Sequence, residues 1–470
     1  MKNRSFLRNM LKVALGQGVS LLSGVAVGLL LPKALGLEDY GFLKIYTLYV
    51  AYTALLHLGF ADGILLHLAG KEYESLDKTR MRTYTQFFVA MQSILGAVLL
   101  VAGALVADPD YSFIIAMLGV NMVIINLTTY YQFISQAVQR FSEYSFKNLV
   151  VAVLKLLFVA ALLVLRYGNI ASVDYRFYII GLNVIDGLVL AWYVATYGAI
   201  TFGKGEKLST CLPDIAGIFR LGIMLTVAYQ VSHLVLALDR QFVSLFYPTE
   251  TYALYSFAYN IITLISTMIS SLAIVLLPAL RRVSPEEAGS HYGGFLRTVA
   301  MLVGICALCY FPLTVFIRWF LPEYAESVQY LRIVLPALMY HSGISVVMFT
   351  FCKALGENKA FFKISLLILL LGFVTNTLAQ LIFATPQAIS IASLITMAAW
   401  YVIAGAWVGR RVQAKMGKEF AYLTVLGVLF LLCTSPSVSN WLGMGAYAAA
   451  FVAVTAVFYG KFLLEKIRKS

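Results

Sequence analysis

Long apolar runs recur along the whole chain and are separated by short polar segments. A run of eighteen or more apolar residues can cross roughly 30 Å of hydrocarbon as a helix. Thr385-Pro386 and Ser435-Pro436-Ser437 break two runs that would otherwise be of double length. The pattern predicts helices over 11–31, 45–69, 84–106, 112–136, 147–165, 177–197, 220–246, 252–278, 298–317, 330–352, 364–384, 387–408, 420–434 and 441–463. The predicted fold class is an all-α polytopic membrane protein with about fourteen transmembrane helices.

The composition is that of a membrane protein. Of the 470 residues, 61% are hydrophobic and only 12% are charged, whereas a soluble domain typically carries about a quarter charged residues. No segment between the apolar runs is long enough for a soluble domain. The first run follows four basic residues, as in a signal peptide, but it is too long and lacks an A-x-A-like cleavage site. We therefore expect it to be retained as the first helix.

Lysines and arginines fall mostly on one side of the predicted membrane. If the N-terminus is cytoplasmic and the helices alternate, 27 basic residues lie in cytoplasmic segments and 6 lie on the opposite side. Cytoplasmic loops are enriched in lysine and arginine, so both termini are predicted to be cytoplasmic. The net charge of +13 then follows mostly from topology. Attraction to anionic lipid headgroups is sufficient to explain it, and we expect no nucleic-acid partner.

Two pairs of loops suggest an internal duplication. Residues 38–46 resemble residues 250–258, and residues 139–143 have a counterpart at 355–359, in both cases about 210 residues further on. We therefore predict a six-helix bundle over 1–200, a second over 215–410 and an extra helix pair over 420–470. Parallel repeats of this kind are a transporter architecture, with the substrate site expected between the halves.

Polar residues recur at helical spacing in several predicted helices, notably the first, fourth, seventh and eighth. Such stripes occur where helices pack through small and hydroxylated residues, and for helix one that interpretation and a cavity wall stay equally open. The stripes on helices four and eight are long, and facing lipid would leave polar groups unsatisfied, which favours a water-accessible cavity. Hydroxyl and aromatic side chains suit sugars better than a bare ion. The candidate substrate-binding residues are Arg240, Gln230, His233, Tyr259, Gln17 and Gln132.

Ionisable residues inside membrane helices are costly and are functional candidates. Arg240 could meet a phosphate or pyrophosphate through its fork of donors, or it could snorkel or form an ion pair; its neighbour Asp239 projects about 100° away around the helix. Lys155 and Asp186 lie at similar depth on antiparallel helices, so we expect a structural ion pair. The candidates for ion coupling are Asp62, His57 and His341.

Features of an enzyme are missing from the sequence. There is no phosphate-cradling glycine loop, no Ser/His/Asp set and no metal-ligand spacing. Cys306 and Cys309 form a C-x-x-C inside an apolar run without companion ligands, which is typical of buried packing thiols. A membrane polymerase or ligase would need a large outer loop, and every predicted outer loop is short. We expect a protein without catalytic residues, metal or cofactor, and a monomer.

Short motifs in order along the chain resemble bacterial polysaccharide-transport flippases. They are Leu15-Gly16-Gln17-Gly18, residues 35–41, Leu58-Gly59-Phe60, Gln139-Arg140-Phe141, Leu238-Asp239-Arg240, Pro322-Glu323-Tyr324-Ala325 and residues 354–359. The resemblance implies membership of the superfamily of multidrug, oligosaccharidyl-lipid and polysaccharide exporters. It implies a V-shaped fold with a cationic cavity lined by helices one, two, seven and eight, which works by alternating access.

The same resemblance implies a cargo and a location. Members of the O-antigen and capsule branch carry undecaprenyl-pyrophosphate-linked oligosaccharide from the cytoplasmic to the periplasmic leaflet of the inner membrane, driven here by an ion gradient. The implied partners are this lipid-linked oligosaccharide, membrane lipids and the polysaccharide polymerase machinery. An ion-coupled multidrug antiporter usually has twelve helices, and a peptidoglycan-precursor flippase has fourteen but typically more arginines in its first two helices. Both stay open as alternatives.

Overall fold

The computed structural model describes residues 23–280, 285–414 and 416–469, and in these ranges every regular element is a helix. Of the predicted sites, Gln17 lies outside the described residues. The helices are α1 (Ser23–Ala34), α2 (Leu37–Thr53), α3 (Phe60–Leu68), α4 (Lys78–Ala104), α5 (Pro109–Ala137), α6 (Phe141–Tyr167), α7 (Tyr175–Thr196), α8 (Gly198–Thr201), α9 (Leu208–Phe246), α10 (Thr249–Leu280), α11 (Pro285–Cys306), α12 (Tyr310–Phe320), α13 (Ser327–Ser342), α14 (Phe349–Ala354), α15 (Asn358–Ile382), α16 (Pro386–Arg411), α17 (Gly417–Cys433) and α18 (Asn440–Lys469).

Many of these helices are long and apolar enough to cross a membrane. Among the described residues ten qualify, or eleven if α2 and α3 together form one bent span. Two of the ten spans combine consecutive helices. His291–Phe320 contains a short 3₁₀ turn at Ala307–Cys309, and Ser327–Ala354 contains a π-helical turn at Gly343–Met348. The chain is therefore an all-helical, multi-span membrane protein.

The chain divides into two compact units, Met1–Gln230 and Val231–Ser470, with the boundary inside α9. In the first unit α5 is central and packs on α2, α3, α4 and α7. Its core contains stacked rings, with the Phe60 and Phe88 centroids 5.1 Å apart and those of Phe88 and Tyr130 5.2 Å apart. Such rings bury much apolar area in a defined geometry, and they hold α3, α4 and α5 together.

The second unit is organised around α13, which packs on α10 and α16. In Ser327–Ala354, 78% of the most apolar window is buried, compared with 11% for α6 at the edge of the first unit. A helix that is apolar on all sides can be either central or lipid-facing, so hydropathy alone does not separate these two. α15 pairs with α16, and α17 pairs with α18.

The prediction of one helix over 45–69 is wrong. α2 begins at Leu37, and a 55° bend separates Leu37–His57 from Phe60–Leu68. The bend arises at Leu58 and Gly59, whose φ angles are +50° and +85°. Glycine adopts this left-handed backbone without steric cost, whereas Leu58, which is 44% exposed, is strained there.

Candidate functional site

The bend in the first unit brings together His57, Asp62 and Thr226. His57 is buried, and its Nε2 lies 3.8 Å from Oδ2 of Asp62. The backbone N–H of Gly59 donates to Nδ1 of His57 at 3.1 Å, so the imidazole carries its proton on Nε2, facing the carboxylate. The hydroxyl of Thr226 donates to the same Asp62 oxygen. The bend therefore places an imidazole and a carboxylate side by side in a largely apolar interior.

Close backbone contact between α3 and α9 positions this cluster. A Cβ atom added at Gly63 would overlap the carbonyl of Ile218, and one added at Gly222 would overlap the carbonyl of Gly59. Small residues let membrane helices approach to backbone distance. This approach places Thr226, one turn beyond Gly222, over Asp62 at the start of α3.

Buried amides satisfy the carbonyls that the bend frees near the end of α2. Gln230 donates to the carbonyl of Ala51 at 2.7 Å, and Gln92 donates to that of Leu56 at 3.0 Å. Asn126 donates to the side-chain oxygen of Gln92 at 2.8 Å. An unpaired backbone carbonyl is costly in an apolar environment. Gln230, proposed from the sequence as a substrate ligand, therefore supports the bend, and sequence reasoning missed Gln92 and Asn126.

The fourth predicted helix corresponds to α5, and several residues of its polar stripe pack against neighbouring helices. Asn121 donates to Asn183 at 3.0 Å, and the hydroxyls of Ser135 and Tyr197 lie 2.8 Å apart. Both Asn121 and Ser135 are buried inside the first unit, so for them the expectation of a cavity wall is wrong. Neighbouring helices supply their hydrogen bonds. Gln132 is half-buried and donates to Asn148 at 3.3 Å.

Lys155 and Asp186 come together on α6 and α7. Nζ of Lys155 lies 2.9 Å from Oδ1 of Asp186, with side-chain exposures of 32% and 11%. This distance is that of a charge-assisted hydrogen bond. The pair links two neighbouring helices of the first unit, and each charge is neutralised by the other.

A second polar cluster lies on α9 and α10 of the second unit. Asp239 is 2% exposed, and its Oδ2 accepts hydrogen bonds from the hydroxyls of Tyr255, at 2.9 Å, and Tyr259. The backbone N–H of Arg240 donates to Oδ1 at 2.7 Å. Sequence reasoning did not select Asp239. A partial sequence signal existed, because Tyr255 and Tyr259 are four residues apart and share the helix face from which both hydroxyls donate to Asp239.

Arg240 lies beside this carboxylate and over an aromatic ring. Its guanidinium carbon is 5.1 Å from the centroid of the Tyr259 ring, and Nη2 donates to the carbonyl of Leu236 at 3.3 Å. Nε has no hydrogen-bond partner among the described residues. A guanidinium stacked on a ring keeps a planar fork of donors that matches phosphate oxygens. Of the predicted substrate ligands, Arg240 and Tyr259 are therefore brought together.

The two other predicted histidines lie outside the hydrogen bonds of Asp62 and Asp239 named above, although His233 lies within electrostatic range of Arg240 and of His341. His233 is exposed on α9, and the half-buried His341 on α13 has its ring centroid 6.4 Å from that of Trp400. In the described part of the chain no group of three or more His, Cys, Asp or Glu side chains could hold a metal ion. The chemistry that these groups offer is binding and proton exchange.

Comparison with known proteins supplies the family. A family model described as polysaccharide biosynthesis protein matches residues 6–284, more than half of the chain. No curated protein matches. Among solved structures, the lipid II flippase MurJ in an inward closed conformation aligns with a TM-score of 0.71 at 14% identity, over 97% of this chain and 100% of that chain.

Multidrug transporters have similar folds. An inward-facing multidrug resistance MATE family transporter of the MOP superfamily aligns with a TM-score of 0.62 at 13% identity, over 86% of this chain and 98% of that chain. An outward-facing one gives 0.58 at 11% identity, over 86% and 95% of the two chains. At these identities the likeness concerns the fold, while the family model identifies the sequence. The chain belongs to the polysaccharide biosynthesis protein family, as its motifs indicated.

Proposed function

We propose that this protein is a flippase that moves undecaprenyl-pyrophosphate-linked oligosaccharide from the cytoplasmic to the periplasmic leaflet of a bacterial inner membrane by alternating access. The observation that carries the proposal is membership of a polysaccharide biosynthesis family by a chain made of membrane-spanning helices. A sugar chain assembled on a lipid needs a path for its polar headgroup, because polar groups cross hydrocarbon only at high cost. The prenyl tail stays in the lipid.

Arg240 is the proposed contact for the pyrophosphate. Its guanidinium lies over Tyr259, and most of its donors are not used by the protein in the described residues. Phosphate groups accept paired hydrogen bonds from such a fork. The Tyr259 ring beside it offers an apolar face for a sugar.

The cluster of His57 and Asp62 is the proposed site of ion coupling. It holds a neutral imidazole and a carboxylate 3.8 Å apart at a helix bend, so a change in protonation alters the attraction between the two arms of the bend. A gradient of protons would act on this pair directly. His341 stays a weaker proposal because no carboxylate lies within ion-pair distance of it among the described residues.

We also propose fourteen spans with both termini in the cytoplasm. The distribution of 27 basic residues against 6 supports this orientation. α17 and α18 would form the thirteenth and fourteenth spans. The division into bundles over 1–200 and 215–410 with a pair over 420–470 stays part of this proposal.

A peptidoglycan-precursor flippase is the second candidate. The observation that favours it is the alignment over the full length of the lipid II flippase MurJ. Both candidates bind a prenyl-linked sugar and differ in the headgroup. The identity of the transported headgroup therefore distinguishes the two candidate functions.

Reconstitution into vesicles tests the proposal. Purified protein is incorporated with fluorescent prenyl-pyrophosphate oligosaccharide in one vesicle set and with lipid II in another, and transfer between leaflets is measured with and without a proton or sodium gradient. We expect gradient-dependent transfer of the oligosaccharide lipid. Faster transfer of lipid II would favour the second candidate, whereas export of small organic cations without lipid transfer would identify a drug antiporter and overturn the proposal.

A further inference from the structure

A buried carboxyl in the second unit lies far along the chain from the residues considered so far. Glu419 is in the first turn of α17 and is only 3% exposed. Its carboxyl accepts a hydrogen bond from its own backbone N–H, while Oε2 has no partner among the residues whose side chains the structure describes. A buried carboxylate oxygen without a partner is costly, because it has lost its hydrogen bonds to water and gained none in return. The group therefore requires an explanation beyond capping of α17.

Three tyrosine hydroxyls around Glu419 share this condition. Tyr292 on α11, Tyr401 on α16 and Tyr459 on α18 are each at most 1% exposed, and in the described part of the chain none of their hydroxyl oxygens has a hydrogen-bond partner. The residues on either side of Glu419 contact two of these tyrosines: the ring centroids of Phe420 and Tyr401 are 6.0 Å apart, and Nζ of Lys418 lies 5.5 Å from the centroid of the Tyr459 ring. Tyr292 is also within electrostatic range of Glu419. Four buried oxygens from four helices therefore lie in one region without hydrogen bonds to one another. Polar atoms so arranged are typical of an enclosed site for water or a proton.

The charges around Glu419 oppose the effect of its burial. Arg297 on α11 and Lys418 on α17 are within electrostatic range and favour the carboxylate. Burial and the unpartnered Oε2 favour the neutral acid, which can donate its proton to a hydroxyl. The helices around it also carry His291 on α11, Arg332 and His341 on α13, Arg410 and Arg411 on α16 and Tyr447 on α18. Two further tyrosines nearby have partners, Tyr340 with Thr424 at 3.0 Å and Tyr422 with Thr455 at 2.8 Å. A carboxyl balanced in this way changes protonation in response to small rearrangements of its neighbours.

We infer that Glu419, with the hydroxyls of Tyr292, Tyr401 and Tyr459, forms a proton-binding site of the second unit. The acid form keeps its proton on the carboxyl among these buried hydroxyls, and release of the proton leaves a carboxylate within electrostatic range of Arg297 and Lys418. No atom other than the proton is exchanged. A role in driving transport rests on the proposed function, whereas proton binding itself does not.

Infrared difference spectroscopy on the purified full-length protein tests the site directly. A protonated carboxyl has a carbonyl stretch that carboxylates lack, so a pH titration of the wild type is expected to show this band and Glu419→Gln is expected to lose one component of it. The control is Glu357→Gln, since Glu357 is paired with Arg411 at 2.9 Å and should leave the band unchanged. An unaltered band in Glu419→Gln would overturn the inference.

A second variant keeps the test valid if Glu419→Gln does not fold. Tyr401→Phe removes one hydroxyl and leaves the carboxyl in place, so the frequency of the same band is expected to shift. A frequency identical to that of the wild type would count against the hydroxyl site. In vesicles, Glu419→Gln is expected to lose the pH dependence of lipid transfer and Glu419→Asp to retain it. If the wild type transfers no lipid, the proposed function fails while the infrared result still decides the site.

Discussion

Arg240 is the residue on which the proposed contact with a pyrophosphate depends. The guanidinium of Arg240 lies over the Tyr259 ring. The preceding residue, Asp239, is buried and already accepts hydrogen bonds from two tyrosine hydroxyls and a backbone N–H. Because Asp239 has these other partners, Arg240 is not needed to neutralise it through a side-chain bond. Under the proposed function, the guanidinium of Arg240 is therefore the group that binds the external anion.

Replacing Arg240 is expected to impair transfer of the lipid-linked oligosaccharide without unfolding the protein. A hydrogen bond to a charged group contributes about 1.5–3 kcal/mol, so Arg240→Ala should lower the transfer rate about ten- to a hundredfold. Arg240→Lys should recover only part of the rate, since lysine lacks the planar fork. The measurement is leaflet transfer in reconstituted vesicles.

The matched control is Arg411→Ala, another arginine of the second unit that is 58% exposed and paired with Glu357. It should transfer lipid at the wild-type rate. Wild-type transfer by Arg240→Ala would remove the headgroup role, and loss of transfer in both variants would point to a general effect of charge.

The pair of Lys155 and Asp186 is expected to contribute to stability and not to transport. Each single variant, Lys155→Met or Asp186→Asn, leaves the other charge partly buried without its partner and should destabilise the protein by about 1–3 kcal/mol, less than for a fully buried pair because Lys155 is one-third exposed. The double variant should cost less than the sum of the two. Thermal unfolding in detergent measures all three, and a harmless Asp186→Asn beside an unfolded Lys155→Met would show that the contact has no stabilising role.

At the scale of elements, the bend between α2 and α3 shows where sequence reasoning reaches its limit. Residues five apart on a straight helix point about 140° away from each other, so His57 and Asp62 could not be predicted to meet. The backbone turn at Leu58 and Gly59 brings them together. Lys155 and Asp186, by contrast, could be matched in depth because α6 and α7 are straight antiparallel neighbours. Local periodicity gives the residue positions along a helix but not its tertiary bends.

The close contact of α3 and α9 is expected to depend on Gly222. A Cβ atom there overlaps the carbonyl of Gly59, so Gly222→Ala must separate the two helices, at a cost of about 1–3 kcal/mol. The separation also moves Thr226 away from Asp62 and should impair ion coupling. Thermal stability and the gradient dependence of lipid transfer report the two effects.

Gly217 on the same helix is the control. A Cβ atom at this position meets no atom within 4 Å, so Gly217→Ala should stabilise α9 by up to about 1 kcal/mol through helix propensity. If the two substitutions have equal effects, the backbone contact does not determine the position of α9.

At the scale of the whole molecule, composition and hydropathy were sufficient for the all-helical membrane class, and short motifs were sufficient for the family. The packing of individual polar residues was not predictable. Asn121 and Ser135 carry the same spacing as a cavity stripe, yet both are buried and form hydrogen bonds to residues of α7 or just after it, Asn183 and Tyr197. Glu419 went unnoticed because one glutamate at a helix start is normally a cap. Which polar residue faces a partner depends on the helices around it, and that information is not local.

The orientation predicted from the basic residues can be tested at the two ends of one helix. α7 runs from Tyr175 to Thr196, with exposed Ser172 before it and exposed Lys204 after it. If the N-terminus is cytoplasmic, a cysteine at Ser172 faces the periplasm and one at Lys204 faces the cytoplasm. In a variant without the five native cysteines, an impermeant thiol reagent added to intact spheroplasts should label Ser172→Cys and spare Lys204→Cys until the membrane is permeabilised. Ser437 lies in the exposed turn between α17 and α18. Ser437→Cys should be labelled like Ser172→Cys only if both of these helices cross the membrane. Labelling of Ser437→Cys solely after permeabilisation would contradict fourteen spans, because α17 would then fail to reach the outer face.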